Sequence, residues 1–224
     1  MSAAPTTIVV MAKECIPGRV KTRLHPPLSL EDAARVAAAS LADTLDAVQA
    51  TGLPVIVCAQ GAVAVPVGVR TIPQVEGGLD ERIGAALDEC RGRVLLIGMD
   101  TPQVNPRLLR SFADEWPEGA DAWFGPATDG GFWLLGLDEL GPETLGGQRR
   151  GDLVRGVPMS SSETGRRQRE RLETAGLAIA DAAPLTDIDD IASLRDVAAL
   201  LPPAGRLARL LPELGVLLGK GAAS

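Results

Sequence analysis

Four cations crowd one short stretch, MAKECIPGRVKTRL (11–24): Lys13, Arg19, Lys21 and Arg23. Pro17-Gly18 sets a turn within it, and a glycine lets backbone come close to a ligand. Arg19, Lys21 and Arg23 alternate, so an extended segment would point all three to one side. Guanidinium groups combined with backbone amides make a site for several phosphate oxygens. The alternative is a solvated loop with scattered basic residues. The stretch is neither a Walker A loop nor a GxGxxG turn, so neither of those mechanisms carries over.

Three acidic stretches could complement it. In GMDTPQ, Asp100 lies just beyond the apolar run RVLLIG, where a carboxylate is costly unless something binds it. One carboxylate facing phosphates is a common way to hold magnesium, with waters and phosphate oxygens filling the other positions. The competing reading is an aspartate that caps the turn at Pro102. In ATDGGF, the Asp-Gly-Gly run signals a hairpin, and chemistry there requires Asp129 to project into a cleft. In LTDIDDIASL, Asp187, Asp189 and Asp190 precede a helical pattern. One of them is its N-cap, and the others could complete a metal site opposite Asp100. His25 is the single histidine. A histidine-based triad or pair must therefore use it or not exist. Any metal must take oxygen ligands, which points to magnesium or manganese.

These residues need a frame to hold them. Short apolar runs at 6–12, 54–59 and 93–98 read as buried strands, with a further short strand at 69–72. Helical patterns follow Ser29 up to Gly52, and occupy 79–90 and 106–116, the last with Pro106 in its first turn. The runs 121–126 and 131–137 flank the TDGG turn. An arginine-rich helix at 160–176, a strand at 178–183 and a capped helix after Asp190 complete the pattern. Strands alternating with amphipathic helices build a mostly parallel sheet covered on both faces. Such sheets bind ligands at the carboxyl ends of their strands, where the basic loop, GMDTPQ and the TDGG turn all fall.

Composition narrows the field. The chain has 224 residues and a formal net charge of −7, which argues against general nucleic-acid binding. The length suits one domain, residues 1–204, followed by an amphipathic tail at 205–224 that Pro212 interrupts. That tail packs onto its own domain or serves a homodimer. Cys15, Cys58 and Cys90 are too scattered for a disulfide framework or a zinc cluster. The start carries no signal-peptide pattern, and no apolar run reaches the ~18 residues of a membrane span. A cytoplasmic location is expected.

The stretches MAKECIPGRVKTRL, LLIGMDTPQV, FGPATDGGFWLLGL, GVPMSSSETG and LTDIDDIASL occur in the order and spacing of a known group. The chain resembles the small rSAM/selenodomain-associated, arsenosugar-biosynthesis-type glycosyltransferases over roughly residues 6 to 197. Relatives of that family include nucleotidyltransferases such as molybdenum cofactor guanylyltransferase. The resemblance implies a Rossmann-like GT-A α/β three-layer sandwich with a mostly parallel sheet, and a divalent metal, Mg2+ or Mn2+, at Asp100. It implies that Ala12, Lys13, Gly18, Arg19, Lys21 and Arg23 face the phosphates of a nucleotide. The segment QVEGGLDER places Gln74, Gly78 and Arg82 near the same nucleotide, and Asp129, Gly130 and Gly131 shape the donor-sugar or acceptor side. Glu14 departs from the family pattern, setting a carboxylate beside the same phosphates unless a loop cation pairs with it.

Glycosyl transfer from a nucleotide-diphospho-sugar to a small acceptor is the leading expectation, with Asp129 as base or acceptor-positioning group. The alternative is nucleotidyl transfer, joining a nucleoside triphosphate to a phosphorylated small molecule. Three loop cations suit three phosphates better than two. A non-catalytic nucleotide-binding module is the third expectation.

Overall fold

A computed structural model describes residues 5–141 and 143–216. In chain order the elements are β1 (Thr6–Lys13), α1 (Leu30–Gln49), β2 (Val55–Gln60), β3 (Arg70–Pro73), α2 (Leu79–Asp88), β4 (Arg93–Gly98) and α3 (Pro106–Asp114). They continue with β5 (Ala122–Pro126), β6 (Phe132–Leu137), α4 (Thr164–Thr174), β7 (Ile179–Asp181), α5 (Ile191–Ala198) and α6 (Arg206–Glu213). The seven strands form one sheet in the order β3-β2-β1-β4-β6-β5-β7. β6 runs antiparallel to both of its neighbours, and the other pairings are parallel.

The central strands are apolar on both sides because both faces are covered. On one face, α1 and α3 bring Ala37, Leu41, Leu45, Leu109 and Phe112 against Ile8, Val10, Leu95 and Ile97. On the other, α2, α4 and the 150–153 turn bring Ile83, Leu87, Leu153 and Leu172 against Val9, Leu96, Leu135 and Leu137. Each such side chain taken out of water is worth ~1.5–3 kcal/mol. The helix starts carry the caps their sequences suggest. Ser29 accepts from the Asp32 N–H, Asn105 from the Leu108 N–H with Pro106 following it, and Asp190 from the Ser193 N–H.

A third cluster sits beyond the sheet. Leu24 and Leu28 pack there with Val36 of α1, Ile188, Leu194 of α5, and Leu207 and Leu211 of α6. The amphipathic stretch after 205 thus docks on α1 within its own chain, and Pro212 falls in the last turn of α6 without breaking it. Residues 217–224 of the expected tail lie outside the described residues. Among the described residues, no helix is long and apolar enough to cross a membrane.

Candidate functional site

A cleft of about 640 Å³ opens beyond the carboxyl ends of β1 and β4, bounded by the β5–β6 turn, the start of α2 and the 158–164 loop. Ala12, Lys13, Arg23, Gln74, Arg82, Asp100, Asp129, Gly131, Asp187 and Asp189 all line it. Ten of the expected site residues, drawn from five separate stretches, are thereby brought together. Gly18, Arg19, Lys21, Gly78 and Gly130 do not line it.

The basic loop is not extended, so the alternation of its cations does not hold. Gly18 has φ +75° and Lys21 has φ +48°, and Thr22–Leu24 closes a short 3-10 turn. The chain coils there because Leu24 and Leu28 must reach the third apolar cluster. Of Arg19, Lys21 and Arg23, Arg23 alone lines the cleft, and it pairs with Asp189. Lys21 turns inward. Its buried Nζ lies 2.9 Å from Asp100 Oδ1 and also donates to the Ile188 carbonyl. The same segment is fixed a second time, since Ile188 N–H donates to the Asp100 carbonyl at 2.9 Å. Glu14 points away from the loop cations and accepts from Ala62 N–H at 3.2 Å, across the loop after β2.

Gln74 is a strut between strands. Its amide donates to the carbonyls of Ala12 (2.9 Å) and Cys58 (3.0 Å), tying the ends of β1 and β2. Both amide hydrogens are spent, so its oxygen can act on a ligand only as an acceptor. Arg82, in the first turn of α2, is held by the Gly77 carbonyl and Gln60 Oε1, both at 3.0 Å. That leaves part of its guanidinium edge for an anion.

The β5–β6 turn and the 158–164 loop form one unit. Asp129 Oδ1 accepts from Gly131 N–H at 2.7 Å, an Asx turn, which leaves Oδ2 for chemistry. Gly130 carries φ +90°, and a Cβ there would lie 2.1 Å from the Ser162 carbonyl oxygen. A Cβ at Gly165 would lie 2.3 Å from the Gly131 carbonyl. The Gly165 N–H closes the contact on Gly130 O at 2.8 Å. Gly130 therefore serves close packing of two loops and does not itself line the cleft. This clamp sets Ser160, Ser161 and Ser162 beside Asp129 on the cleft wall. Sequence reasoning missed these serines as site residues, and it missed Thr101. The available signal was the polar run SSS between Met159 and a helix. The structure adds Ser160 at φ +58°, a left-handed conformation uncommon for serine.

The acidic groups favour a cation between them. Asp187 Oδ1 and the Thr101 hydroxyl are buried without a hydrogen-bond partner, and Asp100 Oδ1 is buried with the Lys21 ammonium at 2.9 Å beside it. Burial pushes the Asp187 carboxyl up to about 6, and the negative charges of Asp129 and Asp100 add to it. Its own backbone N–H and the Lys21 ammonium oppose the shift. An orphaned Asp187 oxygen and an Asp100 carboxylate already facing a cation fit a hard divalent ion that takes its other ligands from phosphates and water. Among the described residues, no group of three or more His, Cys, Asp or Glu side chains could hold a metal ion by itself. Asp189, expected as a third ligand, lines the cleft and pairs with Arg23, and Asp190 is the cap of α5.

The sequence profile of a family described as "Uncharacterized protein conserved in bacteria (DUF2064)" matches residues 32–161, more than half of the chain. No curated protein matches in sequence. A solved structure from Desulfovibrio desulfuricans G20, named for nucleotide-diphospho-sugar transfer, superposes with a TM-score of 0.81 at 22% identity, covering 95% of this chain and 96% of that one. A cytidylyltransferase from Leptospira borgpetersenii serovar Hardjo-bovis superposes with a TM-score of 0.55 at 12% identity, covering 98% and 99%. A Mycobacterium tuberculosis H37Rv protein, Rv0371c, in complex with manganese gives 0.50 at 19% identity, covering 88% and 98%. The fold is the Rossmann-like one of nucleotide-sugar transferases and nucleotidyltransferases.

Proposed function

The chain belongs to the DUF2064 family, and from that premise we propose that it is a glycosyltransferase moving a sugar from a nucleotide-diphospho-sugar to a small acceptor. The observation that carries this reading is the number of cations reaching the cleft. A triphosphate would call for the three cations of the basic loop acting together. Lys21 is engaged by Asp100, Arg19 stands outside, and Arg23, paired with Asp189, remains at the rim. With Arg23 paired to Asp189, Lys13 and Arg82 are the cleft cations left to face a diphosphate, one for each phosphate group. The resemblance to the rSAM/selenodomain-associated glycosyltransferases supports the same reading.

In this scheme Arg82 and Lys13 hold the diphosphate, and the Gln74 oxygen accepts from a ring N–H or exocyclic amine of the nucleobase. Asp100 and Asp187 would hold Mg2+ or Mn2+, which neutralises charge on the departing diphosphate. Asp129 Oδ2 lies free on the opposite wall to orient an acceptor hydroxyl and take its proton. The wall carries no histidine for that task. Nucleotidyl transfer is the second reading. It is favoured by the position of Lys21, whose ammonium would be released toward an added phosphate if a cation displaced it from Asp100.

The test is product identity. The protein is incubated with Mg2+ or Mn2+ and either nucleotide sugars (UDP-glucose, GDP-mannose) or triphosphates (CTP, GTP), for wild type and Asp100→Asn. Release of nucleoside diphosphate from a sugar donor, reduced at least tenfold in the variant, supports glycosyl transfer. Pyrophosphate release from a triphosphate moves the assignment to nucleotidyl transfer. No metal-dependent stabilisation by any nucleotide would leave a non-catalytic module.

A further inference from the structure

The two halves of the cleft differ in charge. The half formed by β1, the start of α2 and the basic loop presents Lys13, Arg23 and Arg82. The half formed by the β5–β6 turn and the 158–164 loop presents Asp129, Phe132, Met159 and the hydroxyls of Ser160, Ser161 and Ser162. Among the described residues, no lysine or arginine lines this second half. The nearby arginines of α4 turn away from it, with Arg166 paired to Glu163 and Glu170 and Arg167 paired to Glu163.

We propose that the second substrate is a hydroxyl-bearing molecule with an apolar face and no phosphate, either uncharged or cationic. The proposal rests on the reading of the cleft as a nucleotide-dependent transferase site. Its positive content is a match of chemistry. Asp129 Oδ2 accepts but does not donate when ionised, so it selects a ligand group that carries hydrogen. The Phe132 ring and the Met159 thioether, both half-buried, offer an adaptable apolar wall to a carbon skeleton. The Ser160 and Ser162 hydroxyls both donate and accept, as a polyol requires, while the Ser161 hydroxyl is held by the Thr164 hydroxyl and the Glu163 N–H. The clamp through Gly130 and Gly165 locks Asp129 against the serine loop, so the two recognise one ligand together. A phosphate ester would meet the Asp129 carboxylate at close quarters with no lysine or arginine on this wall to offset the repulsion. The acceptor hydroxyl attacks the anomeric carbon, its proton passes to Asp129, and the bond from that carbon to the diphosphate oxygen breaks, the electron pair leaving with the diphosphate.

The test uses the full chain with the nucleotide sugar that stabilises it most, plus Mg2+ or Mn2+. Matched probes are offered as second substrate: glycerol and glycerol 3-phosphate, phenyl β-glucoside and its 6-phosphate, and ethanolamine and phosphoethanolamine. Nucleoside diphosphate release is read against the rate in water alone. The proposal expects at least one unphosphorylated probe to accelerate release, with kcat/KM at least tenfold above that of its phosphate ester. Ser162→Arg, which sets a cation on this wall, should narrow that ratio at least tenfold. Preference for phosphate esters, or no acceleration by any probe while the nucleotide sugar still binds, overturns the proposal and leaves the transferase reading standing. Failure of every nucleotide sugar to bind overturns both.

Discussion

Asp187 should cost the protein stability at neutral pH, and Asp187→Asn should recover it. The carboxyl titrates at about 6 in place of its ordinary 3.8, a difference of roughly two units. At about 1.4 kcal/mol per unit this sets a ceiling of about 3 kcal/mol. Partial exposure screens the site, which brings the expected value to ~1–2 kcal/mol. The sign follows from proton counting. Below the unfolded value both states hold the proton and the penalty vanishes. Between about 4 and 6 the folded state keeps a proton that the unfolded state has released, so stability falls as pH rises. Above about 6 the full penalty is present. Asparagine keeps the shape and cannot ionise. Urea unfolding of both proteins at pH 7.5 should show the variant more stable by ~1–2 kcal/mol, and at pH 4.5 that gain should shrink to about a third. The same variant should lose metal-dependent stabilisation by nucleotide. A gain equal at both pH values would mean that a neutral contact had changed, and no gain at pH 7.5 would refute the argument from buried charge.

Gly130→Ala forces a methyl to within 2.1 Å of the Ser162 carbonyl at φ +90°. It should lower unfolding free energy by about 2 kcal/mol or more, read by urea denaturation. Lys21→Met leaves the Asp100 carboxylate and the Ile188 carbonyl without their ammonium, a loss of ~1–3 kcal/mol. Added Mg2+ should stabilise this variant more than wild type in a thermal-shift assay, because no ammonium competes at Asp100. Gln74→Leu removes two hydrogen bonds to strand-end carbonyls, for a loss of ~1–3 kcal/mol. It should also weaken nucleotide binding measured by calorimetry.

The sequence by itself determined the elements but not every end: the arginine-rich helix expected from 160 begins at Thr164, and 160–162 line the cleft as loop. Apolar runs of strand length became the central strands, and Ser29, Asn105 and Asp190 became the caps that their side chains allow, because burial pattern and capping are local properties. Local pattern also placed GMDTPQ and TDGG on the cleft, since a parallel sheet brings its strand ends to one side. It did not determine what each cation or glycine does there. Lys21 looked like one of three equivalent phosphate ligands. Its partner Ile188 is 167 residues away, brought to it by a segment that crosses the end of β4. Gly130 and Gly131 were expected to shape the donor-sugar or acceptor side, and only the fold shows that Gly131 lines the cleft while Gly130 makes room for Ser162. Gln74 lines the cleft, and only the side-by-side strands β1 and β2 reveal that its amide hydrogens are already used. Such roles depend on which distant loops the strand order sets next to one another, and no periodicity in the chain encodes that adjacency.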